Sequence, residues 1–170
     1  MDGILYIENF IAQPDRLFEV LTTRVAWDER MAARKTASFG KAYNYSQMAY
    51  PFQEFLPELE AVNIQLQNAI GFKPNNCLIN YYLDGRSKMG WHSDQTDILE
   101  DDTGVAIVSI GEMRILQFRN KTAPENLIDY PLRAGSLIYM TQEVQEHWQH
   151  AIPRSDTEQG RISLTFRKIR

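Results

Sequence analysis

RISLTFR, residues 161–167, alternates at every position: Arg161, Ser163, Thr165 and Arg167 fall on one side of an extended chain, and Ile162, Leu164 and Phe166 on the other. Such a period predicts a β-strand with one apolar and one polar face. Upstream of it, and after Gly71, lie further short runs rich in β-branched and aromatic residues: CLINYYL, VAIVSI, RILQF, SLIYM and HWQHAI, separated by Gly, Pro, Asp and Asn. Many strands with no helical pattern between them exclude a doubly wound parallel sheet. The pattern favours a mainly β class with flanking helices on one side, either an antiparallel barrel or a double-sheet jelly roll (double-stranded β-helix).

Before Gly71 the period changes. Pro14 suits a first helical turn, and Leu17, Leu21 and Val25 recur every four residues with Phe18 alongside, so the spacing predicts a helix over Pro14–Val25. A second helix is expected over Pro57–Ala69, where Phe55, Leu59, Val62, Leu66 and Ala69 form an apolar row that Gly71 can end in a left-handed conformation. TASFGKAYNYSQMAYPF, residues 36–52, is aromatic and turn-rich, consistent with short strands or a loop. A single domain over 1–170 is expected, with 1–70 as support and 71–170 as the jelly-roll core.

A chain of 170 residues, 44% hydrophobic and 24% charged, can bury a sizeable core without a disulfide framework. Its one cysteine, Cys77, suits a reducing compartment, and the opening MDGILYIENFIAQPD is acidic where an export signal needs basic residues. No run approaches the ~20 apolar residues of a membrane span. A cytoplasmic location, no membrane and no obligate protein partner are the expectations. The net charge of −4 argues against tight non-specific binding to duplex DNA. Arg30, Arg34 and Lys35, in DERMAARK, sit beside Asp28 and Glu29 and read as a solvated charged face.

Chemistry enters with GWHSDQTD, residues 90–97, where His92 and Asp94 are two positions apart and can converge on one metal ion. Two later histidines, His147 and His150, lie on another predicted strand. Two His and one carboxylate form the facial triad of non-haem Fe(II) oxygenases, although the same set suits a zinc ion with a bound water. RISLTFR bears on the choice. If its polar face lines a barrel, Arg161 and Arg167 need anionic partners, and a dicarboxylate would satisfy both. Zinc hydrolysis gives no reason for such a pair. An edge strand whose polar face meets solvent is the plainer alternative.

Taken in order, NYY (80–82), HSD (92–94), SIG (109–111), QHAIP (149–153) and RISLTFR make the chain resemble the AlkB-like family of Fe(II)- and 2-oxoglutarate-dependent dioxygenases, over roughly Thr36 to Arg170. The resemblance implies that His92, Asp94 and His150 hold Fe(II), with His147 a packed neighbour. It implies that Asn80 and Tyr82 hydrogen-bond 2-oxoglutarate while Arg161 and Arg167 pair with its carboxylates. Ser163 stands where the family has asparagine, which alters one contact to the co-substrate. The implied reaction consumes O2, turns 2-oxoglutarate into succinate and carbon dioxide, and hydroxylates a substrate C–H; an N-methyl group then leaves as formaldehyde.

FGKAYNYSQ resembles the family's lid over an alkylated base, which would put Tyr43 and Tyr45 on a flipped nucleobase and Ser46 on its backbone, within the 1–70 segment. Repair-type members carry acidic residues directly after the metal aspartate; here Gln95 and Thr96 come first and Asp97 follows as the compensating substrate contact. The expected partner is single-stranded or flipped-base nucleic acid, with a protein or small metabolite as the alternative substrate. A zinc-dependent hydrolase and a non-catalytic binding jelly roll are the other classes open at this point.

Overall fold

The computed structural model describes residues 1–45 and 47–170. Its larger sheet is antiparallel throughout and runs β1 (Ile4–Ile7), β10 (Leu137–Met140), β7 (Val105–Gly111), β12 (Arg161–Arg167), β5 (Asn76–Tyr82) and β2 (Lys35–Gly40). The smaller sheet runs β6 (Met89–His92), β11 (Trp148–Ile152), β8 (Arg114–Asn120) and β9 (Leu127–Leu132). A separate hairpin pairs β3 (Tyr43–Tyr45) with β4 (Met48–Tyr50). The two sheets pack together through Val105, Ile138 and Met140 from one and Leu116, Phe118 and Ile152 from the other. Two packed sheets make this the jelly roll, one of the two architectures that the alternation allows.

Period two puts a second apolar layer on the far side of the larger sheet. Phe39, Ile79, Val108, Leu164 and Phe166 point that way and meet Leu17 and Leu21 of α1 (Pro14–Arg24) and Leu59 and Leu66 of α2 (Pro57–Ile70). Both helices start on a proline, as expected, and α2 ends on Gly71 at φ 85°, where the glycine N–H donates to the Gln67 carbonyl. Helix α1 stops at Arg24, because Val25 already has extended backbone angles. None of the helices among the described residues is long and apolar enough to cross a membrane.

Four elements differ from the sequence reading, the first being β6, a strand outside the predicted runs that forms one edge of the smaller sheet. Strand β1 adds an edge to the larger sheet beside β10. LIDYPL forms β9 at the edge of the smaller sheet, where Pro131 is tolerated because only one neighbour requires hydrogen bonds. The segment before QHAIP folds as a short helix, α3 (Gln142–His147), so His147 ends a helix and does not lie on the strand with His150. Its side chain is 62% exposed and faces Glu143 at 4.0 Å, which corrects the expectation of a packed histidine.

Candidate metal and co-substrate site

The inner face of β12 opens onto a cavity of about 440 Å³ between the sheets. β12 is flanked by β5 and β7, so it is a central strand, and the solvent-facing edge reading of its polar side fails. All seven of its residues are buried.

His92 closes β6 and stands opposite His150 of β11. The register slips between His150 and Ile152, since Ile152 faces Met89, three residues from His92. The extra residue lets Met89 and His92 both reach the cavity, and the two imidazoles come within 4.3 Å of each other, centroid to centroid. Asp94 follows on a loop held from behind. Its backbone N–H donates to Oε1 of Gln145 on α3 at 2.8 Å, and Ser93 Oγ donates to the Trp148 carbonyl at 2.8 Å.

Nε2 of His92 lies 3.5 Å, and Nε2 of His150 3.6 Å, from Asp94 Oδ1. One ligand atom from each of the three residues falls within 4.8 Å of the other two. Gly90 O is 2.7 Å from His92 Nδ1, a contact that places the proton on Nδ1 and leaves the Nε2 lone pair toward the carboxylate, the tautomer a metal ligand needs. Burial is the largest influence on Asp94 and opposes its charge, but His150, His92 and Arg167 outweigh it and hold the carboxyl well below its ordinary range. Burial is also the largest influence on His92 and disfavours its protonation; Asp94 and the Gly90 carbonyl outweigh it and raise the imidazole. A divalent cation would take the place of those protons, and the donor set of two imidazole nitrogens and one carboxylate oxygen fits Fe(II).

The arginines test the co-substrate. Arg161 is fully buried; burial first, then the Arg114 guanidinium, push its pKa down to about 10. Its Nη2 donates to Ser109 Oγ at 2.9 Å and its guanidinium sits 5.3 Å over the Tyr82 ring, while Nε and Nη1 have no partner among the described residues. Nε and Nη1 of Arg167 are likewise buried without partners, 3.9 Å separating its Nη2 from Asp94 Oδ1. Unpaired buried donors on charged groups each cost more than about 1–3 kcal/mol. A dicarboxylate offers acceptors to both forks, so the residues present fit 2-oxoglutarate.

Asn80 and Tyr82, from β5, line the same cavity and are almost wholly buried. Ser163 is buried between the two arginines. Tyr43 and Tyr45 line it from the hairpin with rings stacked at 6.3 Å; Tyr43 is the more buried and lies beneath Arg167, 5.1 Å from ring centroid to guanidinium. Ser46 lies outside the described residues. Asp97, expected at the substrate, is exposed and does not line the cavity; Gln95 does.

Sequence reasoning missed Arg34. Instead of joining a solvated face it is 7% exposed, lines the cavity, and donates through Nε to Asn80 Oδ1 at 3.2 Å and through Nη2 to the Tyr45 hydroxyl. The signal was present: Arg34, Thr36 and Ser38 alternate with apolar Ala37 and Phe39, which puts Arg34 on the inner face. Only Arg30 and Lys35 of that run are surface pairs, with Asp28 and Glu29.

A family model described as the 2OG-Fe(II) oxygenase superfamily matches residues 12–167. Alpha-ketoglutarate-dependent dioxygenase alkB homolog 3 of Rattus norvegicus is 30% identical over 179 residues, covering 94% of this chain and 61% of that protein. DNA oxidative demethylase ALKBH2 of Homo sapiens is 33% identical over 147 residues, covering 80% of this chain and 56% of that protein. The chain thus spans about three-fifths of the length of the curated relatives it matches. The solved structure of OsALKBH1 superposes with a TM-score of 0.72 over 99% of both chains at 15% identity, a likeness of fold.

Proposed function

The chain belongs to the 2OG-Fe(II) oxygenase superfamily, and from that premise we propose that it is an AlkB-like dioxygenase that removes an N-methyl group from a nucleobase. The observation that carries the reading is the pairing, in one cavity, of a two-histidine, one-aspartate cluster with two buried arginines whose donors lack acceptors. A zinc hydrolase leaves those arginines without a purpose. Relatives named as a dioxygenase and a DNA oxidative demethylase support the substrate class, as does the aromatic hairpin at the cavity.

His92, Asp94 and His150 hold the metal in this reading. When bound, Fe(II) together with 2-oxoglutarate and O2 supplies the oxidising power that hydroxylates the methyl carbon, with succinate, carbon dioxide and finally formaldehyde as products. Arg167, beside Asp94, takes the carboxylate end nearest the metal ligands, and Arg161, with Ser109 and Tyr82, takes the far end. Asn80 orients the co-substrate from β5. Leu78, Ile107 and Leu116 keep that compartment apolar and exclude water. Tyr45 and Tyr43 present the lid to a single-stranded or flipped base. One oxygenase domain spans 1–170: residues 1–70 supply the helical support, the lid and two edge strands, and 71–170 carry the ligand set.

The test is product formation by anaerobically purified protein given Fe(II), 2-oxoglutarate, O2 and ascorbate, with and without a methylated single-stranded oligonucleotide. Succinate above a no-enzyme blank, stimulated by the oligonucleotide and matched by formaldehyde, is expected. Succinate without stimulation or formaldehyde by any methylated oligonucleotide contradicts the nucleobase assignment.

A further inference from the structure

The cavity holds more positive charge than the metal ligands and co-substrate account for. Arg34, Arg161 and Arg167 line it, and the one carboxylate lining it among the described residues is Asp94. A divalent metal and the dianionic keto acid offset each other, so the loaded site keeps three guanidiniums against one carboxylate.

Arg34 is the cation not required by the keto acid's two carboxylates. It is fastened at two points, to Asn80 on the sheet and to the Tyr45 hydroxyl on the hairpin, with its guanidinium 5.5 Å over the Tyr45 ring. It therefore stands where the lid meets the floor. Its Nη1 has no partner among the described residues. No nearby acid neutralises it: Asp28 is engaged by Arg30 and Tyr50, and Glu29 by Lys35. Gln95, the residue after Asp94 that reaches the cavity, is neutral.

Resting on the demethylase reading above, we propose that the site selects a neutral methylated base bearing ring carbonyls over a cationic methylated base, with Arg34 as the specificity-determining residue. A ring carbonyl accepts from the guanidinium, whereas a protonated base adds a like charge to a compartment of low dielectric and offers the guanidinium a donor. 3-Methyluracil and 3-methylcytosine form the matched pair. They share shape and methyl position, but the first is neutral with oxygen at position 4 and the second is a cation with an amino group there.

The experiment compares kcat/KM for formaldehyde release by the Fe(II)-loaded enzyme on single-stranded oligonucleotides carrying one or the other base. Binding of the same two oligonucleotides to Mn(II)-loaded protein without oxygen gives a readout separate from turnover. 3-Methyluracil is expected to be favoured by about tenfold or more in both, since one adjacent like charge in a partly screened site is worth more than the roughly fivefold it imposes in water. Arg34→Gln should bring the ratio toward one, Arg34→Lys should keep it, and Gln95→Glu should lower it without touching Arg34 should the first variant fail to fold. Equal or reversed preference in the wild type, with both bases demethylated, overturns the inference and leaves the demethylase standing. A ratio unmoved by both Arg34→Gln and Gln95→Glu removes Arg34 from the account. Succinate formation with neither base demethylated or bound overturns this inference, and the nucleobase reading falls with it when no other methylated oligonucleotide stimulates turnover.

Discussion

Strand β12 has two buried faces that solve opposite problems. Ile162, Leu164 and Phe166, each at 0% exposure, meet α1, α2 and their neighbours in a close-packed apolar layer and bring no polar side-chain atom to satisfy. Arg161, Ser163, Thr165 and Arg167, one residue out of phase, are equally buried yet leave four guanidinium nitrogens without acceptors. The helix-side layer is a folding device, and the cavity side is stable only as far as the other side supports it. Incomplete polar satisfaction in a central strand therefore marks a ligand site.

That contrast can be broken at four points. The largest effect is expected on the apolar side, where Leu164→Ala or Phe166→Ala should cost about 3–5 kcal/mol in urea denaturation, since the sheet cannot collapse onto the gap. Next, wild-type protein with Mn(II) and 2-oxoglutarate, at about a hundred times the dissociation constant, should gain about 2.7 kcal/mol in a thermal or chemical melt. In the Asp94→Ala and Arg161→Met variants that gain should vanish. Arg161→Met without ligands should leave stability level or raise it, because an unpaired buried charge is exchanged for an apolar side chain. A loss of more than about 2 kcal/mol there would mean that the cavity side is part of the folding core after all. The smallest change is Arg24→Ala, which removes the α1–α2 ion pair with Glu58; at 58% and 31% exposure that pair should contribute at most about 1 kcal/mol in the same melt, leaving the helix layer to its apolar contacts.

Much of this was readable because it rests on period. Alternation in RISLTFR separates the two faces of β12, and the fourfold spacing of Leu17, Leu21 and Val25 together with Gly71 places both helices to within a residue at each end. What escaped was set by tertiary context. α3 is six residues of mostly polar sequence with no apolar stripe, so nothing local shows that Gln145 is buried against the Asp94 backbone. β9 contains a proline that only an edge position excuses. Arg34 sits in a run of charges, and its neighbours Arg30 and Lys35 are surface residues; only the start of β2 assigns it to the inner face. Asp97 follows the opposite course, a plausible sequence position on a loop that turns away from the cavity.

The most direct test of the central claim is succinate release from anaerobically purified, Fe(II)-reconstituted protein when O2 is admitted in the presence of 2-oxoglutarate, measured beside the Asp94→Ala variant. Succinate well above blank for the wild type and at blank for the variant is the predicted result. Succinate at blank for a folded, iron-loaded wild type, or equal release from both proteins, would contradict it.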